Sequence, residues 1–212
     1  EIPKNLDIVD SKNSYKYISK TFNKYFYSVS LPIFKFLAIK NYKLGQNSLG
    51  NIYYLGRGVE KDYIEAKKWY QKAAIQGYKY AQNSLGNIYY FGRGVEKDYI
   101  EAKKWYEKAA IQGYKYAQSS LGYIYYNGGY GVEKDYIEAK KWYEKAAIQG
   151  SVSAQKFIGN IYYYGGYGVE KDYIEAKKWY LKAAFKDNTD AIDYLGNIYY
   201  FGRGVEKDYI EA

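Results

Sequence analysis

The 212-residue sequence contains no cysteine, no histidine and no methionine, and only two prolines. Without cysteine there is no disulfide framework, no thiolate metal ligand and no thiol nucleophile. Without histidine there is no imidazole ligand and no histidine-based triad. Chemistry is left to carboxylates, lysine, tyrosine, serine and threonine, so an enzyme is not expected, nor is a metal or cofactor site. Long apolar runs are also missing. The longest, Phe26 to Ile39, is broken by Pro32 and Lys35 and falls short of the ~20 residues that a spanning helix needs. It also lies too deep in the chain for a signal peptide, which occupies roughly the first 15–30 residues. The sequence does not begin with Met and stops at Glu211-Ala212 in the middle of a recurring pattern. It is therefore expected to be a piece of a longer chain, and it does not reveal a compartment.

What is present in excess is tyrosine: 33 residues, against 8 phenylalanines and 4 tryptophans. The hydrophobic share of 48% and the charged share of 26% are those of a globular chain rather than a disordered one. The formal charge is +9, but residues 1–44 carry eight lysines against Glu1, Asp7 and Asp10, which accounts for +5 of it. The rest is spread over a long surface with both signs interleaved, as ordinary solvation requires. Only the N-terminal segment is basic enough to suggest a polyanion partner.

Internal repetition governs the rest. Leu49-Gly-Asn-Ile-Tyr-Tyr54 returns at Leu85, at Leu121 (with Tyr123 in place of Asn), at Ile158 and at Leu195, at intervals of 36 or 37 residues. A second block, Val-Glu-Lys-Asp-Tyr-Ile-Glu-Ala, starts at Val59, Val95, Val132, Val169 and Val205. The one-residue expansions fall in Asn127-Gly-Gly-Tyr-Gly131 and Tyr164-Gly-Gly-Tyr-Gly168, where other copies have Gly-Arg-Gly. Length varies only where a turn tolerates it. A period of this size marks stacked supersecondary units.

Each unit reads as two helices. In the copy from Tyr80 to Gly113, helical periodicity places Ala81, Leu85, Ile88 and Tyr89 on one face, and Tyr53 likewise belongs to the core. Gly86 beside that stripe marks a close approach by a neighbouring helix. In the second helix Ala102, Trp105, Tyr106 and Ala109 share a face, with Lys104 and Lys108 opposite. Gly92-Arg93-Gly94 ends the first helix, because glycine accepts left-handed backbone. Asp98 with Glu101 reads as a capping box opening the second, and Gln112-Gly113 closes it.

The pattern Ala81, Leu85-Gly86, Tyr89, Gly92-x-Gly94-Val95, Asp98, Ala102, Trp105-Tyr106, Ala109-Ala110 and Gly113 resembles the Sel-one-like repeat (SLR) family, a relative of the tetratricopeptide repeat. The resemblance covers about residues 45–212, with Trp-Tyr pairs recurring at 69/70, 105/106, 142/143 and 179/180. It implies an all-α, right-handed α/α superhelical solenoid of repeated antiparallel helix hairpins, and a role as an adaptor in protein complexes. Family branches with paired cysteines are set aside, since this chain has none.

Residues 1–22 are expected to form a polar, Lys-rich tail, with the solenoid over 23–212. Within it, 23–44 reads as a degenerate capping half-repeat whose helix starts near Leu31, after which Pro32 is tolerated. Repeats then follow at about 45–80, 81–116, 117–153, 154–190 and a truncated 191–212.

The face of the first helix opposite Leu85 carries the functional expectation. By the tetratricopeptide likeness it lines a concave groove. Stacked copies give a ladder of Asn51, Asn87, Tyr123, Asn160 and Asn197, and a parallel row of Tyr54, Tyr90, Tyr126, Tyr163 and Tyr200, with Asn83 alongside. Asparagine offers an acceptor and two donors to a peptide backbone, and tyrosine offers semi-rigid area with a polar tip. The expected partner is a peptide or protein segment. The alternatives are packing between repeats or plain surface for the tyrosines, and helix–helix hydrogen bonding or solvation for the asparagines. Gly-Arg-Gly (56–58, 92–94, 202–204) lacks the preceding strand and the spacing of a phosphate loop. Repeated carboxylates such as Glu60 and Asp62 single out no acid–base pair. Nucleic-acid or polyanion binding through the basic N-terminal segment is the second reading; salt dependence would separate the two.

Overall fold

The computed structural model describes residues 26–210 except 28 and 130; the expected tail at 1–22 lies outside the described residues. Among the described residues the fold is all-α, a series of antiparallel helix hairpins in two compact units, one ending at Tyr78 and the other starting at Lys79. The first holds α1 (29–39), α2 (Lys43–Leu55) and α3 (Tyr63–Ile75). The second holds α4 (Lys79–Phe91), α5 (Tyr99–Ile111), α6 (Lys115–Asn127), α7 (Tyr136–Ile148), α8 (Val152–Tyr164), α9 (Tyr173–Ala184) and α10 (Thr189–Phe201).

Even-numbered helices are the first helices of the hairpins, and α3, α5, α7 and α9 are the second. Every second helix begins at an aspartate whose side chain accepts from the backbone three residues on: Asp98 from Glu101, Asp135 from Glu138, Asp172 from Glu175, each at 2.9 Å. The reciprocal half of the expected capping box does not form. The Asp98 N–H is already donated to the Tyr89 carbonyl (3.0 Å), which ties the turn back to the first helix. Glu101 is left to pair with Lys104 at 3.1 Å. First helices end on left-handed glycines, such as Gly92 at φ +66°.

The one-residue expansions are absorbed inside the turn. Gly129 and Val132 exchange two backbone hydrogen bonds (2.7 and 3.1 Å), as do Gly166 and Val169. Beyond that small loop the tie from second-helix cap to first helix is restored, Asp135 N–H donating to the Tyr125 carbonyl at 2.8 Å. At the other end, helical backbone is present at 26, 27 and from 29 onward, upstream of the start that Pro32 suggests. A proline removes its own N–H bond and crowds the carbonyl four residues back, yet the described segment stays helical through it.

Second helices give the core alanines and a tyrosine (two in α7, Tyr136 and Tyr143), and first helices give it alanine, leucine and isoleucine. Ala102, Ala109 and Ala110 of α5 pack with Ala117, Leu121 and Ile124 of α6, all buried. The same pattern recurs one repeat on, with Ala139, Ala146, Ala154, Ile158 and Ile161. The close approach expected at Gly86 is realised inside the hairpin: a Cβ there would sit 2.5 Å from Cδ1 and Cε1 of Tyr106. Gly122 faces Tyr143 and Gly159 faces Tyr180 in the same way. Absent side chains at these glycines are what let a full tyrosine ring fit between two helices of a pair. No helix among the described residues is long and apolar enough to cross a membrane.

Candidate functional site

In the second unit the first helices α4, α6, α8 and α10 form one row, joined side to side by rings. Tyr90 of α4 meets Tyr123 of α6 at 6.2 Å between centroids, and Tyr123 meets Phe157 of α8 at 5.7 Å. Tyr163 of α8 meets Tyr194 of α10 at 5.3 Å. Two cavities open along this row. One, with a volume of ≈ 350 Å³, is lined by Asn87, Tyr90 and Phe91 of α4, Tyr106 of α5, Ser119, Ser120 and Tyr123 of α6, and Ser153 and Phe157 of α8. The other, also ≈ 350 Å³, is lined by Lys156, Asn160, Asp190, Asp193, Tyr194 and Asn197. Helix α8 contributes to both. The first is apolar with a few hydroxyls and no charged side chain; the second is polar, and Lys156 pairs with Asp190 across it at 2.8 Å.

Three of the residues singled out from the sequence, Asn87, Tyr90 and Tyr123, come together in the first cavity, and Asn160 and Asn197 in the second. The asparagine carbonyls, however, are engaged within the fold. The Tyr106 hydroxyl donates to Oδ1 of Asn87 at 2.7 Å, and Tyr180 donates to Asn160 at 2.8 Å. In the first unit Tyr70 donates to Asn51 at 2.8 Å. Asn160 is only 7% exposed and Tyr163 only 8%, so these two serve the interior rather than an open face. The tyrosine from the second helix reaches through the pair and uses the ladder from behind. Asn83 Oδ1 is buried without a hydrogen bond. Asn197 is exposed, and its amide donates to the Asp193 carbonyl at 3.0 Å.

The tyrosine row is similarly divided. Tyr90 stacks on Tyr99 (4.7 Å, 9°) and Tyr126 on Tyr136 (4.9 Å, 6°), ring on ring within one hairpin. Tyr54 meets Tyr63 edge-on at 5.2 Å. The Tyr163 hydroxyl accepts from the guanidinium of Arg203. Tyr123 and Tyr200 keep 38% and 53% of their surface exposed, and Tyr200 packs edge-on with Phe201 and Tyr209.

Burial pushes the phenols of Tyr90, Tyr106, Tyr126 and Tyr143 up from the ordinary value, and for Tyr90 the hydrogen bond to Tyr99 adds to it. They stay neutral across the physiological range and are poor proton relays. Among the described residues no three His, Cys, Asp or Glu side chains gather as metal ligands. The arrangement suits contact, with donors and rings held rigid.

Ser119, Ser120, Ser153, Phe91, Tyr106 and Phe157 were not singled out from the sequence as site residues. The available signal was the divergence of Gly150-Ser-Val-Ser-Ala-Gln-Lys-Phe157, a stretch without a polar cluster that nonetheless supplies two walls of the cavity.

The repeats match the family model described as Sel1 repeat at residues 42–78, 79–114, 115–151, 152–187 and 189–212. No curated protein matches the chain. Among solved structures, a protective antigen of uropathogenic Escherichia coli displaying an SLR fold is 39% identical with a TM-score of 0.81, over 86% of this chain and 38% of its own. A Sel1 repeat protein from Oxalobacter formigenes is 38% identical with a TM-score of 0.74, over 81% of this chain and 67% of its own. The chain thus spans well under half the length of the first of these relatives. Proteins of this repeat type are generally non-enzymatic scaffolds for protein–protein interaction. Five matched repeats, with the same glycine, alanine and aromatic positions filled in copy after copy, place this chain in the Sel1 repeat family.

Proposed function

We propose that the chain is a non-enzymatic scaffold that holds an extended peptide or protein segment along the face of the first helices α4, α6, α8 and α10. The observation that carries this reading is the cavity shared by α4, α6 and α8. Asn87, Tyr90 and Tyr123 line this one apolar hollow together, which supports reading the face as a contact surface. Rigid tyrosines give contact area at low entropic cost, since their rings are already stacked against neighbours. Hydroxyls of Ser119, Ser120 and Ser153 supply adaptable donors and acceptors to a backbone. The second cavity, with Asp193 and Asn197, extends the same row with polar groups.

Because the asparagine carbonyls hold tyrosine hydroxyls, replacing them would perturb the fold as well as a ligand. The test therefore uses exposed positions. Peptides selected on the chain from a random displayed library should bind Phe91→Glu and Tyr123→Glu at least tenfold more weakly. They should keep their affinity for Lys104→Glu and Lys141→Glu on the opposite surface. Loss at the two lysines with no change at Phe91 and Tyr123 refutes the assignment of the face.

A further inference from the structure

The first-helix position occupied by Ser120 is filled by a ring in the next two repeats. Phe157 lies flat on Tyr143, with centroids 5.2 Å apart and planes 5° apart. It also meets Tyr123 at 5.7 Å and Tyr126 at 5.2 Å. Tyr194 lies flat on Tyr180 in the same way (4.9 Å, 4°), and meets Tyr163 and Tyr164. Moved back by one repeat from Phe157 and by two from Tyr194, the positions that surround these rings are Asn87, Tyr90, Phe91 and Tyr106. Those four residues, with Ser120 itself, are walls of the apolar cavity. The hollow is a seat that the chain fills with its own ring at 157 and 194 and leaves open at Ser120, where Ser48 and Ser84 of the earlier copies have the same small side chain.

Resting on the groove reading above, we infer that this cavity is an anchor site for one uncharged aromatic side chain, phenylalanine or tyrosine, of the bound polypeptide. Size agrees: a cavity of about 150 Å³ accommodates benzene, and this one measures ≈ 350 Å³. Charge agrees as well, since no ionised side chain lines it, and a cation or carboxylate entering would lose hydration without a counter-charge. Geometry favours a ring over an aliphatic group. The walls offer ring faces and edges at Tyr90, Phe91, Tyr123 and Phe157, and aromatic pairs are favoured by offset or edge-on contact beyond their buried area. A single buried aromatic anchor among weaker contacts is the usual distribution of binding energy at an interface.

The test is to fill the seat from within. Ser120→Phe places on α6 the ring that α8 carries at 157, and Ser120→Leu fills it with a smaller apolar group. A random peptide library is selected on the unaltered chain and the enriched peptides are measured on both variants. The expected result is enrichment of Phe or Tyr at one peptide position and at least a tenfold weaker affinity for Ser120→Phe, with far-ultraviolet circular dichroism unchanged. Replacing that peptide residue by Leu should weaken binding to the unaltered chain by a similar factor. Enriched peptides without an aromatic residue, or peptides that bind Ser120→Phe as well as the unaltered chain, overturn the inference. If such peptides are still weakened by Tyr123→Glu, the groove stands and only the aromatic anchor falls. Should neither Ser120 variant fold, the seat does not accept a ring and the inference is again overturned.

Discussion

Replacing Gly86 by alanine tests the packing on which every hairpin depends. In an ordinary helix interior this change is stabilising by about 1 kcal/mol, because alanine has less backbone freedom to lose. Here the new methyl would lie 2.5 Å from Cδ1 and Cε1 and 2.9 Å from Cγ of Tyr106, against 3.5–4.0 Å for a relaxed carbon pair. The ring has to retreat by about 1 Å. It is 2% exposed, and its hydroxyl is held by Asn87 at 2.7 Å. Overpacking of this kind costs about 1–3 kcal/mol, and disturbing the hydrogen bond adds about 0.5–1.5 kcal/mol. The expected outcome is a net loss of roughly 1–3 kcal/mol in urea unfolding. In a Tyr106→Ala background the clash is gone, and Gly86→Ala should then stabilise by about 1 kcal/mol, so the two substitutions couple strongly. Gly113→Ala is the control: its φ of +77° makes alanine unfavourable, yet nothing lies within 4 Å, and Tyr106→Ala should not rescue it. A Gly86→Ala chain as stable as the parent, or an additive double mutant, would refute the account.

Tyr143 should behave unlike its counterparts. Tyr123 stands where the other copies have asparagine, and the buried Tyr143 hydroxyl has no hydrogen-bond partner, so Tyr143→Phe should be neutral or stabilising in urea unfolding. Tyr106→Phe and Tyr180→Phe strand the Asn87 and Asn160 carbonyls and should cost about 1–3 kcal/mol each; equal losses at all three sites would contradict this. Alkaline pH gives the third prediction. Burial raises the phenol pKa of Tyr106, Tyr143 and Tyr180 above the usual 10.0, so the folded state holds protons that the unfolded state releases. Their stabilising contribution is complete below about pH 10 and declines as pH rises toward the folded-state values, by about 1.4 kcal/mol per pH unit for each tyrosine. Tyrosinate absorbance and helicity followed together should show part of the tyrosine population ionising only as the helices melt; ionisation of all 33 tyrosines near pH 10 with helicity intact would contradict it.

Much of the fold was legible in the sequence because each repeat states it again. Periodicity gave the helix pairs, glycines gave the turns, and Gly86 beside a leucine stripe announced a close neighbour. The asparagine ladder was placed on the correct helices, and hydrogen bonding between helices stood beside contact with a ligand as a reading of it, but the donor was not identified. A helical wheel fixes the direction of a side chain relative to its own axis. It does not say that a tyrosine 19 or 20 residues later will reach through from the paired helix and donate to the same carbonyl. The Glu101 half of the capping box failed for a related reason, since the backbone donor it would have satisfied was committed to Tyr89. The cavity was the least legible feature. It arises from a difference between copies, serine at 120 and rings at 157 and 194, whose meaning depends on which tyrosine face lies beneath.

The small loop closed by Gly129 and Val132 carries a consequence for how such arrays diversify. Beyond it the chain rejoins its helical course at Asp135 with the same backbone tie as in the shorter copies. Growth at that point leaves this tie in place, while Gly131 and Gly168 rest against Ile100 and Ile137 on the second helix of the preceding hairpin. Foreign segments grafted between Gly129 and Val132, or between Gly166 and Val169, so as to keep these two glycine contacts would give two neighbouring positions for new specificity on the same helical frame.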